Sequence, residues 1–232
     1  MIAIRERSRR GRTRLGWLDS HHTFSFGEYR DPAQMGFRSL RVLNEDRVAP
    51  GAGFGSHGHR DMEILSFVLS GALEHRDSLG NGSIVRPGEL QRMSAGTGIR
   101  HSEFNHSAEQ PLHFLQIWIL PERQGLPPGY EQKALGAEAR GGGLQLVADR
   151  HGTDGALTIH QDVKVYLASL AAGERVTPVL PAGRHAWVQL TRGIAALDGE
   201  ELREGDGAGI SDEASIALQA VTGAELLLFE LA

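Results

Sequence analysis

Apolar or alternating runs of strand length follow one another along the first half of the chain, at 38–44, 62–69, 72–76, 82–86, 89–94, 99–104 and 112–120. Each is cut off by Gly, Pro, Asn or Asp. Strand side chains alternate between faces, so such runs bury an apolar face only by pairing into sheets that pack together or close. No long helical periodicity competes with them, and the expected fold is all-β, a sandwich or barrel. Thirty of the 232 residues are Gly, and most are read as turn residues. Leu79-Gly-Asn-Gly-Ser83 carries the Asn-Gly pair of a tight hairpin, and Arg86-Pro-Gly-Glu89 is another turn.

Between Pro121 and Gly143 the composition shifts to Pro, Gly, Glu, Gln, Lys and Ala, with Pro127-Pro128-Gly129 and Gly141-Gly142-Gly143 as breakers. Strands then resume at 144–148, 156–160, 163–170, 186–191, 194–197 and 224–231. Two β domains are expected, 1–125 and 144–232, joined by a linker over 126–143. The Gly-Asp-Gly-Ala-Gly run at 205–209 lacks the setting of a nucleotide loop and reads as a turn.

The absence of Cys excludes disulfides, iron–sulfur clusters and thiolate chemistry, so any metal must sit on imidazole and oxygen. A net charge of -5 argues against nucleic acid as a partner. No stretch approaches the length of a membrane span, and a cytoplasmic location is expected. Arg5, Arg7, Arg9, Arg10, Arg12 and Arg14 crowd the start. Without a following apolar segment they are no export signal, and a solvated edge strand is expected there.

Histidines concentrate before the linker: His21, His22, His57, His59, His75, His101, His106 and His113, against His151, His160 and His185 after it. In a strand, residues i and i+2 share a face about 6–7 Å apart, so His57 and His59 can reach one ion. His101 and Glu103 repeat that spacing. Two adjacent antiparallel strands presenting these pairs inward would hold a metal by three imidazoles and a carboxylate. That donor set suits iron, manganese, cobalt, nickel, copper or zinc more than magnesium or calcium. His75 and His113 read as hydrogen-bonded barrel residues, and His21 and His22 as turn residues.

Gly51, five residues, His57-x-His59, three residues and Glu63 resembles the first cupin motif, and Gly98-x-x-His101-x-x-x-Asn105 the end of the second. The longer segments at 22–32 (His22 to Pro32), 37–46 (Phe37 to Asp46) and 93–103 (Met93 to Glu103) resemble the pirin family, a likeness covering about residues 16–120. The second half is similar only in general pattern. This resemblance implies a bicupin, two double-stranded β-helix (jelly-roll) barrels, with one divalent metal cation in the first and none in the second. Iron is the foremost choice, with manganese, cobalt, nickel, copper or zinc as alternatives.

The general cupin pattern would make Glu63 the carboxylate ligand. In pirins the acid two residues after the third His takes that role, here Glu103. Gly96 stands where the general second motif has Pro, and the spacing from Glu63 to Gly71 is one residue longer than the general first motif. Both features place the chain with pirins, so the expected ligands are His57, His59, His101 and Glu103, with Glu63 a supporting hydrogen-bonding residue.

The resemblance implies a quercetin 2,3-dioxygenase, which opens a flavonol's oxygen heterocycle with O2 and releases carbon monoxide, Glu103 taking the substrate proton. It also carries an alternative, a metal-dependent regulatory protein that binds a protein partner. A sugar-phosphate isomerase would need basic residues facing the metal, but Arg60 and Arg100 flank the ligands at positions that point away from them.

Overall fold

The computed structural model describes residues 1–136 and 143–232, and their regular secondary structure is strand apart from short 3-10 turns. It divides into two compact units, Gly11–Ala134 with Leu157–Gln161, and Met1–Arg10 with Leu135–Ala156 and Asp162–Ala232. Among the described residues no helix is long and apolar enough to cross a membrane.

In the first unit an antiparallel sheet runs in the order Gly129–Ala134, Glu89–Ser94, Glu63–Ser70, Leu112–Ile119, Leu40–Val48, Leu18–His22, Gly11–Arg14. A four-stranded sheet, Gly53–His59, Ile99–Asn105, Leu73–Asp77 and Gly82–Val85, faces part of it. Leu18, Val48, Val68, Leu73, Val85, Leu112 and Phe114, drawn from both sheets, form one buried cluster. This is the cupin barrel: each sheet buries the side chains of one pleat face against the other. The second unit repeats the plan, with one sheet containing Ile2–Arg5, Gly207–Ile210, His185–Arg192, Ala224–Leu231, Val163–Leu170 and Leu144–Asp149. Its smaller sheet comprises Arg175–Val176, Leu218–Ala220, Ile194–Leu197 and Glu200–Arg203, and an all-aliphatic cluster around Leu190, Leu202 and Leu226 fills the space between.

Several expectations need correction. Residues 126–143 are not all linker: Gly129–Ala134 pairs with Glu89–Ser94 from Gly129↔Ser94 to Ala134↔Glu89. Its polar sequence, Gly-Tyr-Glu-Gln-Lys-Ala, hid a strand at the sheet edge, where one flank stays wet. Residues 137–142 of the expected linker lie outside the described residues. The Arg-rich start forms two strands in different units, Ile2–Arg5 and Gly11–Arg14, and Arg10 between them is buried, its Nη1 donating to the Gly205 carbonyl at 2.9 Å. Residues 205–209 are not only a turn, since Gly207–Ile210 is a strand between Ile2–Arg5 and His185–Arg192. Gly207 is required there because a Cβ would lie 2.6 Å from the Trp187 ring.

The Gly in place of Pro at position 96 has a steric reason. Gly96 adopts φ +47, closed to proline, and a Cβ would lie 2.0 Å from the Leu126 carbonyl oxygen. That oxygen accepts from Thr97 N at 2.8 Å, and Gly96 O accepts from Asp61 N at 2.9 Å, so the turn is tied on both sides. Gly96→Ala is expected to cost about 2 kcal/mol or more, read as a lowered Tm in a thermal melt.

Candidate metal centre

The two histidine-bearing strands are antiparallel neighbours with His101 opposite His57. A register shift follows, because Glu103 stands opposite Phe54, so Gly53–His59 carries one extra residue between these pairs. The extra residue lies in the Gly55-Ser56 stretch, and the Gly55 carbonyl accepts from His57 Nδ1 at 2.8 Å. With Nδ1 protonated, the lone pair of His57 Nε2 points into the site. The rings of His57, His59 and His101 lie 4.5–4.8 Å apart, and each offers a ligand nitrogen within 4.8 Å of the other two.

His57 Nε2 and His101 Nε2 are 3.0 Å apart. Two nitrogens bound cis at about 2.1 Å to one octahedral ion would be about 3.0 Å apart. His101 is buried, and its Nδ1 has no hydrogen-bond partner among the described residues. Burial, with the neighbouring His57, lowers the His59 pKa to about 4, and burial with His57, His59 and His75 takes His101 to about 2. His59 and His101 therefore favour neutral imidazoles, whose lone pairs suit a cation.

Glu103 falls in a second, overlapping group with His75 and His101. It is buried, Ser66 Oγ donating to Oε1 at 3.2 Å and Gln116 Nε2 to Oε2 at 2.6 Å. Burial raises its pKa to about 7 against these two donors, with Asp46 adding repulsion. A cation beside it would reverse that shift. His75 opposes Glu103 in register and is fully buried, bonded through Nε2 to Asp77 at 3.1 Å and stacked on Tyr130 at 4.8 Å. His113 is likewise paired, to Glu45 at 3.1 Å. Glu63 lies elsewhere: its Oε2 accepts from Ser94 Oγ at 2.9 Å and from His160 N and Nδ1 at 3.2 Å.

The opposite sheet supplies what sequence reasoning missed. His22, Asn44, Gln116, Ser66 and Gln91 are successive cross-strand partners on five neighbouring strands and form a buried polar rung. In two of the strands a signal was available, a polar residue inside an apolar run: Ser66 within Glu63–Ser70 and Gln116 within Leu112–Ile119. His22 is a strand residue and not the expected turn residue. Its Nδ1 donates to Asn44 Oδ1 at 2.9 Å, and its Nε2 accepts from Thr13 Oγ1 at 2.8 Å. Trp118 Nε1 donates to Gln116 Oε1 at 3.1 Å while its ring meets His59 edge-on at 4.9 Å. Gln116 thus couples Glu103 to Trp118, and Trp118 braces His59. Gln116→Leu removes both bonds at nearly constant volume, and metal affinity measured by competition with a chelator is expected to fall about 10- to 100-fold.

The shifts also set a pH dependence for the metal-free protein. His59 and His101 have folded pKa values below their ordinary 6.5, so below pH 6.5 the unfolded chain binds more protons and stability falls. Glu103, raised from 4.5 to about 7, acts in the opposite sense between those values. Two groups outweigh one, and denaturant midpoints are expected to be lower at pH 5 than at pH 6.5.

A cavity of about 500 Å3 opens onto this cluster, with His57, His59, Glu103, Gln116 and Asp46 in its lining and Leu18, Phe26, Phe54 and Trp118 as its apolar walls. Arg60 and Arg100 are exposed, and neither is among its lining residues.

The chain matches the Pirin family model over residues 4–119 and the model of the quercetinase C-terminal cupin domain over 146–231. It is 47% identical over 231 residues to the quercetin 2,3-dioxygenase of Escherichia coli (strain K12), covering 100% of this chain and 99% of that one. The solved bacterial pirin YhhW from Escherichia coli, in complex with nickel(II), superposes with a TM-score of 0.95 at 46% identity over 100% of this chain and 99% of its own. A quercetin 2,3-dioxygenase from Acinetobacter baumannii, 22% identical with a TM-score of 0.76 over 98% of this chain and 85% of its own, shares the fold.

Proposed function

From the premise that this chain belongs to the pirin family, as its domain matches and full-length identities show, we propose that it is a metal-dependent dioxygenase. It opens the oxygen heterocycle of a flavonol with O2 and releases carbon monoxide. The observation that carries this reading is the cavity of about 500 Å3, within the size range of small-molecule sites, which places His57, His59 and Glu103 behind apolar walls.

His57, His59, His101 and Glu103 would hold the ion. When bound, a divalent metal supplies a Lewis acid for the substrate's enol oxygen and the redox partner O2 requires. The chain does the rest. Phe54 and Leu18 offer flat apolar surface to a planar aromatic substrate, and Trp118 closes the side next to His59. Glu103, its carboxylate steadied by Ser66 and Gln116, accepts the flavonol hydroxyl proton on a carboxylate oxygen. The apolar walls limit water around the deprotonated substrate.

The test is aerobic turnover of quercetin by protein reconstituted in turn with iron, manganese, cobalt, nickel, copper and zinc, with carbon monoxide as the readout. Iron is our first choice of metal, and nickel enters because the solved relative holds it. Carbon monoxide with at least one metal is the expected result. Its absence with all six would overturn the reading in favour of a regulatory protein acting through a protein partner.

A further inference from the structure

A second cavity, of about 420 Å3, adjoins the first within the same unit, and Phe26, Gly27 and Trp118 line both. The shared wall is held by packing, since the Phe26 and Trp118 rings meet edge-on with centroids 5.4 Å apart. A short hairpin sets Phe26: its N donates to Tyr29 O at 3.1 Å, and Tyr29 N donates back to Phe26 O at 3.0 Å. Gly27, at φ +57, forms the turn, and a Cβ there would meet nothing within 4 Å. Gly27 therefore adds no side chain to the wall the two cavities share.

The two cavities differ in charge. Carboxylates of Glu28, Asp46 and Glu103 line the first. The second is lined by two guanidinium groups, Arg30 and Arg41, and by no carboxylate, with Met35 and Met62 as adaptable apolar surface. Arg41 Nη1 donates to the Ser25 carbonyl at 2.9 Å, which anchors one arm of its donor fork at the cavity. Two guanidinium groups lining one cavity without a carboxylate among the described lining residues are a donor set for an oxyanion through charge-assisted hydrogen bonds.

We propose that this second cavity is a subsite for an oxyanionic substituent, such as sulfate, carried by a flavonol whose enol end occupies the first cavity. The occupant of the first cavity rests on the dioxygenase reading, whereas the anion preference rests on Arg30 and Arg41.

The experiment is calorimetric titration of the metal-loaded protein with three ligands: quercetin, quercetin methylated on the catechol ring as a neutral control for bulk, and quercetin sulfated on that ring. The sulfated form is expected to bind about tenfold more tightly than the methylated one. Arg30→Gln, a change at an exposed side chain, should remove most of that ratio. Arg41→Lys, which keeps the charge and loses the planar fork, should lower it to a lesser degree. Equal affinities in the unmodified protein, a ratio untouched by both variants, or no binding of either substituted ligand overturns the proposal. Turnover separates it from the parent reading. Carbon monoxide from quercetin without a sulfate preference sinks the subsite alone, and an Arg30-dependent preference without carbon monoxide sinks the dioxygenase alone.

Discussion

Glu103→Gln is expected to lower quercetin turnover by about a hundredfold or more while the protein keeps some of its metal. The amide matches the carboxylate in shape but carries no charge and cannot take the substrate proton, and general-base contributions run to about 10²–10⁴ in rate. The fold should survive, because the amide oxygen can still accept from either Ser66 or Gln116. The remaining donor then faces an NH2 group, so some stability is lost. Metal content and turnover measured on the same sample separate the roles: metal retained with turnover lost supports Glu103 as base, and turnover unchanged would remove it from the mechanism.

His101→Ala is expected to have the larger effect on metal. The His101 ring sits between those of His57, His59 and His75, at centroid distances of 4.5, 4.8 and 5.3 Å. Its loss deletes one donor and leaves the two remaining imidazoles, His57 and His59, on a single strand, so that a divalent ion is held by fewer bonds. Affinity should fall by more than about a hundredfold, beyond what the loss of a supporting residue costs. A thermal readout serves as the check. A ligand that binds only the folded state stabilises it by about 2.7 kcal/mol at a hundred times its Kd. Added metal should therefore raise Tm in the unmodified protein and leave His101→Ala almost unmoved. An equal shift in both would place the ion elsewhere. Because His101 is buried, His57→Ala, at a half-buried position, provides a second variant less prone to misfolding.

Local chemistry explains which features were legible beforehand. The period-two spacing of His57 with His59, and of His101 with Glu103, is a property of a single strand. Both pairs lie on strands, and the three imidazoles converge. Buried central strands such as Val163–Leu170 and Leu112–Ile119 are continuous or alternating apolar runs and lie within a residue of their expected bounds. The strands that escaped notice, Leu18–His22 and Gly129–Ala134, lie at or next to sheet edges and are rich in charged, imidazole and amide groups. With one flank open to water, an edge strand has no need of the apolar alternation that reveals a central one.

The all-β class, the exclusion of thiolate ligands and the two His- and Glu-bearing pairs were legible in the chain alone, because each is written in composition or in spacing along one strand. Which groups surround each carboxylate is instead a property of the tertiary structure. Glu63 is drawn away by Ser94 and by His160, while Glu103 shares a group with His101 and His75. It also decided that Gln116, Ser66, Asn44 and His22 form one rung opposite the site, and that Phe26 and Trp118 form the wall between neighbouring cavities. Those relations depend on cross-strand register and on the facing of two sheets. Both are set by pairing between residues far apart in the chain, which a reading along the sequence does not contain.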